Sequence, residues 1–214
     1  YEGSHAQQGF LQQDLWDMYH GSDGVQGSAD WLAWDTLRED IRAHGLYKSL
    51  LTACMPTVST SKIFGSTDGC EPVQSLIYVQ KTQHGETIIV NQRLIQKLKK
   101  YNVWTPETMQ AIILNRGSIQ NIQGIPTDLR NIFKTVWEMS VKRLIFMSAS
   151  RGRFIDQTQS FNVYTPTFDR TRVTSILFEG FRRGLKTGCY YFRTQAAAHT
   201  ESVGLDPVCS ACVV

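Results

Sequence analysis

Two short stretches near the end of the chain carry side chains capable of redox chemistry. The stretch GLKTGCYYFRT, residues 184–194, places Tyr190 directly beside Tyr191. The final stretch, DPVCSACVV, contains the thiols of Cys209 and Cys212. A Tyr-Tyr pair is also common in the strands of ordinary cores, so residue type alone leaves both interpretations of the tyrosines open.

Cys209 and Cys212 form a Cys-x-x-Cys motif in residues 195–214, which we expect to be a flexible tail. The tether from Arg193 to Cys209 reaches at most about 50–58 Å, at about 3.3–3.6 Å per residue, so its thiols could visit a pocket and withdraw. A closed zinc site needs four ligands, and the only nearby histidine is His199. A redox dithiol fits better than a metal site. Half a zinc site completed by another chain, or a frayed terminus with incidental cysteines, remains open.

The other three cysteines, Cys54, Cys70 and Cys189, are isolated in apolar or strand-like settings. We expect them to be buried free thiols. An odd number of cysteines without regular spacing does not resemble the disulfide framework of a secreted protein.

A run of hydroxyl side chains in ACMPTVSTSKIFG, residues 53–65, follows a predicted buried strand and the turn at Pro56. Ser59 or Thr60 could cap the backbone N–H groups at the start of a helix. The same N–H groups could instead hold a phosphate. Because ligands of α/β folds bind at the carboxyl ends of strands, an anion site competes with simple capping here.

Composition excludes several classes of protein. The 214 residues, 42% hydrophobic and 19% charged, are enough for one large domain or part of a bigger one. A formal net charge of +3, scattered along the chain, gives no sign of nucleic-acid binding. No apolar run approaches the length of about 20 residues that spans a membrane, and the first residues do not resemble a signal peptide. We therefore expect a soluble, cytoplasmic protein.

Periodicity and turn residues predict alternating strands and helices. The predicted helices are 28–45, 91–100, 105–117, 127–152 and 169–184. The predicted strands or extended segments are 46–55, 75–80, 86–91, 153–164 and 188–194, with a hairpin turn at 81–85. Expected helix ends include Asp35 and Gly45 for the first helix, and Thr105, Pro106 and Gly117 for the third. Such alternation is typical of an α/β fold with parallel pairing.

Several collinear motifs resemble the C-terminal part of the large subunit of class I ribonucleotide reductases, in the form found in eukaryotes and large DNA viruses. The motifs are MPTVSTSKIFG, ETIIVN, NRGSIQNI, FKTVWEMS, RGRFIDQTQSFNV and GLKTGCYYFRT. The opening YEGSHAQQGFLQQDLW is also similar to the family. The resemblance covers nearly the whole chain, apart from YHGSDGVQGSAD and part of the tail.

The resemblance implies the later part of a ten-stranded α/β barrel, over residues 1–194, followed by the tail at 195–214. The family's regulatory domain, first half-barrel and thiyl-forming cysteine are expected before Tyr1. ATP and deoxynucleotide effectors would therefore bind outside this segment. The chain alone is expected to be inactive, as a fragment, as one piece of a split subunit or as a derivative that lost activity.

The resemblance also implies roles for individual residues. Thr57, Val58, Ser59 and Thr60 match the family loop that holds the diphosphate of a nucleoside diphosphate substrate. The substrate loop is expected to use both hydroxyls and backbone N–H groups.

Tyr190 and Tyr191 match the pair that passes a radical from the small subunit to the active-site cysteine. A phenol can lose an electron and a proton together, and two phenols in contact give a short hop. Because adjacent strand residues face opposite ways, the pair must lie where the strand bends or ends. Cys189 stands where the family usually has methionine.

Cys209 and Cys212 match the shuttle dithiol that re-reduces the active-site disulfide by exchange. The implied partners are the N-terminal portion of the large subunit, the small subunit with its radical-generating metal centre, and thioredoxin or glutaredoxin as reductant. No metal or cofactor is expected on this chain itself. The alternative is a reductase-derived binding or scaffold protein without catalysis, although a scaffold would need neither the tyrosines nor the dithiol.

Overall fold

The structure, a computed structural model, describes residues 1–21, 33–48, 50–83, 85–167 and 169–194. Its helices and strands, in chain order, are α1 (Gln12–His20), α2 (Trp34–His44), α3 (Val58–Phe64), β1 (Ile77–Thr82), β2 (Gly85–Val90), α4 (Gln92–Lys100), α5 (Pro106–Leu114), α6 (Thr127–Ile132), α7 (Val141–Gly152), β3 (Val163–Thr165), α8 (Arg170–Arg182) and β4 (Phe192–Thr194). The chain therefore mixes helices with short strands, as the sequence predicts.

The chain divides into two compact units. The loop unit comprises Tyr1–Cys70, Ser140–Val163 and Thr167–Arg193. The hairpin unit comprises, among the described residues, Glu71–Met139, Tyr164–Pro166 and Thr194.

The predicted hairpin is confirmed in the hairpin unit. Strands β1 and β2 pair antiparallel, from Ile77 opposite Val90 to Thr82 opposite Gly85. Helices α4, α5 and α6 follow, and their apolar faces join β1 in one buried cluster. Its members are Leu76, Ile77, Leu94, Leu98, Ile112, Ile119, Ile125 and Leu129.

Side-chain caps explain where α4 and α5 begin. The side chain of Asn91 accepts a hydrogen bond from the N–H of Leu94 at 3.1 Å. Thr105 accepts one from Thr108 at 3.2 Å, and a proline occupies the first turn of α5, as predicted. Helix α5 ends at Leu114, before Gly117, the predicted end.

The single long helix predicted over 127–152 is wrong. The segment contains α6, a 3-10 turn at Val136–Glu138, and α7. The break has a tertiary cause, because the N–H of Val136 donates to the carbonyl of Val73 at 2.8 Å. The side chain of Glu138 also accepts from the N–H of Thr135 at 2.7 Å, which starts the short turn afresh.

The buried strand predicted over 46–55 is also wrong. Among the described residues of this segment, pairing is limited to a parallel bridge between Cys54 and Gln159. Leu50, Leu51 and Met55 are exposed. A strand requires a neighbouring strand along its length, and pairing of this kind cannot be read from local sequence.

The loop unit contains α1, which the sequence analysis did not predict. Ion pairs hold α1 to its neighbours, from Arg38 to Asp14 at 2.7 Å and from Arg153 to Asp17 at 2.6 Å. Helix α2 ends before Gly45 as predicted, but Asp35 lies within its first turn, and Ala33 is the cap. No helix in the described ranges combines the length and apolar character needed to cross a membrane.

Candidate functional site

The hydroxyl loop, residues 57–60, leads into helix α3. Thr57 precedes the helix in a left-handed conformation, with φ of 53°, and its Oγ1 accepts from the N–H of Gly69 at 2.8 Å. Ser59 and Thr60 lie in the first turn, and both are exposed. Neither hydroxyl makes a hydrogen bond to any residue that the structure describes. The capping alternative is therefore wrong for Ser59 and Thr60, whose hydroxyls are free to meet a ligand.

A second layer of contacts fixes the shape of this loop. The buried Ser61 hydroxyl lies 2.5 Å from a carboxylate oxygen of Asp68 and 3.1 Å from the carbonyl of Val58. The N–H of Ser66 donates to the carbonyl of Ser61 at 2.9 Å. Sequence reasoning missed Ser61 and Asp68 as positioning residues, since their spacing follows no period of a helix or strand.

The tyrosine pair, Tyr190 and Tyr191, lies immediately before β4 begins at Phe192. The two ring centroids are 4.2 Å apart with an interplanar angle of 52°. The Tyr191 hydroxyl donates to the Tyr190 hydroxyl across 3.4 Å. The pair therefore makes contact because it precedes the regular strand, as the alternation of strand side chains requires.

Backbone pairing holds the tyrosines in place. The N–H of Tyr190 donates to the carbonyl of Phe161 at 2.7 Å, and the N–H of Val163 donates to the carbonyl of Tyr191 at 2.8 Å. The side-chain oxygen of Asn162 accepts from the N–H of Tyr191 at 3.2 Å. These bonds leave both rings half exposed, at 59% for Tyr190 and 49% for Tyr191.

Arg193 is a neighbour of the pair that sequence reasoning missed. Its guanidinium carbon lies 5.3 Å from the centroid of the Tyr191 ring, in a cation–π arrangement. A signal was available, because residues separated by two positions in extended chain lie on the same face.

The electrostatics of the pair favour the neutral form of the Tyr190 phenol. The pKa of Tyr190 is raised, first by its hydrogen bond with Tyr191 and then by the repulsion between two adjacent phenolates. A proton therefore remains on Tyr190 at neutral pH and must leave when the phenol is oxidised. Burial likewise raises the pKa of the neighbouring Cys189 thiol, which stays protonated.

Gly184 and Lys186 lie in the loop that leads from α8 to the pair. Gly184 has φ of 74°, and a Cβ there would lie 2.3 Å from the His20 Nε2 atom, so only glycine fits. The Lys186 ammonium donates to backbone carbonyls at the end of α7 and beyond, including that of Asp156 at 3.1 Å. Burial lowers the pKa of Lys186.

The predicted dithiol, Cys209 and Cys212, lies outside the described residues. Its role and the boundary of the tail at residue 195 stay predictions. Within the described ranges, no group of three or more His, Cys, Asp or Glu side chains is arranged to hold a metal ion.

Comparison with known proteins gives a consistent family. The family model described as ribonucleotide reductase, barrel domain, matches residues 1–191. The chain is 45% identical over 213 residues to the ribonucleoside-diphosphate reductase large subunit of Dictyostelium discoideum, covering 98% of this chain and 23% of the relative. It is 42% identical over 206 residues to that of Acanthamoeba polyphaga mimivirus, covering 96% and 23%. The chain thus spans about a quarter of the length of such relatives.

A solved structure shows the same fold. The alpha subunit of the class Id ribonucleotide reductase of Actinobacillus ureae matches with a TM-score of 0.63 at 24% identity, over 87% of this chain and 31% of that one. The α/β mixture described above is therefore a partial α/β barrel, and the resemblance inferred from the motifs is confirmed. The chain belongs to the ribonucleotide reductase barrel-domain family.

Proposed function

We propose that this chain supplies the later part of the barrel of a ribonucleoside-diphosphate reductase large subunit. The complete enzyme would convert ribonucleoside diphosphates to 2'-deoxyribonucleoside diphosphates by radical chemistry. The observation that carries the proposal is the contact between Tyr190 and Tyr191, with ring centroids 4.2 Å apart and hydroxyls 3.4 Å apart. Half-exposed phenols in contact suit a relay that receives an electron hole from another subunit.

In the proposed relay, each phenol gives up one electron and one proton and is restored by the next group. The small subunit would generate the radical at its metal centre, and the tyrosine pair would carry it toward an active-site cysteine contributed by the N-terminal portion of the large subunit. Arg193 beside the Tyr191 ring disfavours a cationic radical there, so loss of the phenolic proton must accompany loss of the electron.

The hydroxyl loop is the proposed site for the substrate diphosphate. Ser59 and Thr60 present unbonded, exposed hydroxyls, and the contacts of Thr57 with Gly69 hold the loop in shape. Hydrogen bonds to a charged group are worth about 1.5–3 kcal/mol each, so a few such contacts suffice for specific binding. Val58 completes the loop through its backbone.

The tail is the proposed carrier of reducing equivalents. Cys209 and Cys212 would reduce the active-site disulfide by thiol–disulfide exchange and would in turn be reduced by thioredoxin or glutaredoxin. We infer a cytoplasmic location, because this cycle needs a compartment that keeps thiols reduced.

Exposed apolar side chains in the loop unit support assembly with another part of a large subunit. Val58 lies in the hydroxyl loop, and Met55, Ile63 and Phe64 lie beside it; all four are exposed. Large exposed apolar patches mark surfaces that another protein surface covers. The N-terminal portion of the large subunit is the proposed cover.

Reconstitution tests the proposal. The chain is combined with the N-terminal portion of the large subunit, the small subunit, thioredoxin and its reductase, and a mixture of ribonucleoside diphosphates. We expect deoxyribonucleotide product from the complete mixture and none when this chain is omitted or assayed alone. A complex that assembles yet makes no product would instead indicate an inactive binding or scaffold protein.

A further inference from the structure

Two cysteines outside the proposed machinery lie at the two ends of the segment that carries the hydroxyl loop. Cys54 precedes residues 55–69 and Cys70 follows them. Sequence reasoning treated both as isolated buried thiols. In the structure Cys54 is half-buried, as is Cys189, and Cys70 is exposed. The prediction of burial is therefore wrong for Cys70 and only partly correct for the other two.

The backbone brings the two ends of this segment together. Gly69 has φ of 52°, and a Cβ at that position would lie 3.2 Å from the carbonyl oxygen of Met55. The N–H of Gly69 also donates to the Oγ1 atom of Thr57 at 2.8 Å. The residues just inside Cys54 and Cys70 are therefore in direct contact, and Cys70 is near enough to Cys54 to raise the pKa of its thiol.

The Cys54 end of the segment is anchored. Cys54 forms a parallel bridge with Gln159, and its carbonyl accepts from the N–H of Ser160 at 3.1 Å. Ser61 and Asp68 join the inside of the segment at 2.5 Å. These contacts hold the two ends of the segment near each other, with Cys54 at the anchored end.

We propose that Cys54 and Cys70 form a reversible intrachain disulfide, a redox modification site that closes the segment carrying the hydroxyl loop. A metal site is disfavoured, because the described residues provide no third ligand near these thiols. The proposal concerns the thiols alone and goes beyond the proposed reductase function. Only its effect on substrate binding would depend on that function.

The oxidant in this scheme is a low-molecular-weight disulfide. The exposed Cys70 thiolate attacks one sulfur of that disulfide, forming a mixed disulfide and releasing one thiol. The Cys54 thiolate then attacks the Cys70 sulfur, forming the protein disulfide and releasing the second thiol. Two protein thiols lose two electrons and two protons, and the small disulfide becomes two small thiols.

The order of attack follows from the surroundings of the two thiols. Desolvation raises the pKa of the Cys54 thiol, and the neighbouring Cys70 raises it further, against the opposing effect of Arg151. A protonated, half-buried thiol is a poor first nucleophile. Cys70 therefore reacts first with the small disulfide.

The test uses the 214-residue chain with Cys209→Ser and Cys212→Ser, which removes exchange with the tail thiols. The chain is equilibrated in mixtures of reduced and oxidised glutathione, alkylated and digested with trypsin. Because trypsin cuts after Lys62, a disulfide joins peptides 49–62 and 63–81, and mass spectrometry detects the joined pair. The same equilibration in concentrated urea gives the reference for an unstructured chain.

We expect the equilibrium constant for the joined pair to be about tenfold or more higher in buffer than in urea, because the fold holds the thiols together. Cys54→Ser should leave glutathione bound at Cys70, whereas Cys189→Ser, a matched control, should leave the joined pair unchanged. Equal constants in buffer and urea, or a joined pair absent in buffer, would overturn the proposal. Neither result would depend on nucleotide binding.

Discussion

The two units differ in how completely they bury their apolar side chains. In the hairpin unit, Leu94, Leu98 and Ile112 have no exposed surface, and they pack around the β1–β2 hairpin. In the loop unit, Leu51 and Ile63 stand 66% and 81% exposed near the hydroxyl loop. Burial of apolar surface is the main source of stability, and the hairpin unit holds the buried cluster, although Leu114 and Ile132 of that unit are also exposed. The loop unit carries the hydroxyl loop and the tyrosine pair, and it leaves more large apolar side chains exposed.

The largest expected effect is the loss of sustained turnover when the tail dithiol is removed. It tests whether the active site must be re-reduced by the tail after each round. In the reconstituted enzyme, Cys209→Ser with Cys212→Ser should give one round of product with thioredoxin and then stop. Dithiothreitol should restore sustained turnover, because it can enter the site itself. Product per active site is measured under both conditions, with Cys189→Ser as control. Sustained turnover with thioredoxin would show that the tail cysteines are incidental.

The difference in burial between Leu98 and Leu51 predicts that replacing them with alanine has very different effects on the free energy of unfolding. Leu98→Ala in the hairpin unit should lower the free energy of unfolding by about 2–5 kcal/mol, because it leaves a cavity in a closed core. Leu51→Ala, the same change at an exposed position, should change it by about 0.5 kcal/mol or less. Urea unfolding of both variants measures the contrast. Similar losses would mean that Leu51 is buried in solution, contrary to its exposure in the structure.

The hydroxyl loop should affect binding without affecting stability. Ser59→Ala with Thr60→Ala removes two hydroxyls that bond to no described residue. In the assembled enzyme, affinity for a nucleoside diphosphate should fall by a few kcal/mol, at about 1.5–3 kcal/mol per lost bond.

Calorimetric titration of the loop variant and the wild type measures this change. Thr105→Ala, which removes the cap of α5, should lower stability by about 1 kcal/mol and leave affinity intact. Unchanged affinity in the double variant would contradict the proposal that the hydroxyl loop holds the substrate diphosphate.

The smallest expected effect is a shift in the pKa of Tyr190 when its contact with Tyr191 is removed. Its raised pKa means that the phenol stays neutral through pH 7 and ionises above the ordinary tyrosine value of about 10. The associated stabilisation is present below the unfolded pKa and disappears as pH rises through the folded pKa. Ultraviolet titration of Tyr191→Phe should show the Tyr190 pKa moving back toward its ordinary value. No movement would mean that the hydroxyl contact does not persist in solution.

Local signals in the sequence predicted the β1–β2 hairpin and helices α4 and α5 of the hairpin unit. Asn91 and Thr105 mark helix starts because their side chains bond to backbone N–H groups within the next turn. The hairpin also follows from local periodicity. The contact between Tyr190 and Tyr191 follows from the alternation of strand side chains, but the strand predicted over 188–194 begins only at Phe192. Such signals depend only on neighbours in the chain.

Contacts between residues far apart in the chain account for the predictions from sequence that were wrong. The helix break at Val136 depends on the carbonyl of Val73, and the anchoring of Cys54 depends on Gln159. Neither partner can be identified from local sequence. The approach of Cys70 to Cys54 was missed for the same reason, since it follows from the path of the intervening segment.

The most direct test of the central claim is the radical relay itself. Tyr190→Phe and Tyr191→Phe keep each ring and remove its oxidisable hydroxyl, while Tyr78→Phe makes the same change at an exposed tyrosine of the hairpin unit. Deoxyribonucleotide formation is measured in the reconstituted enzyme for all three variants. We expect no turnover for either member of the pair and normal turnover for Tyr78→Phe. Normal turnover in Tyr190→Phe or Tyr191→Phe would contradict the assignment of the tyrosine pair.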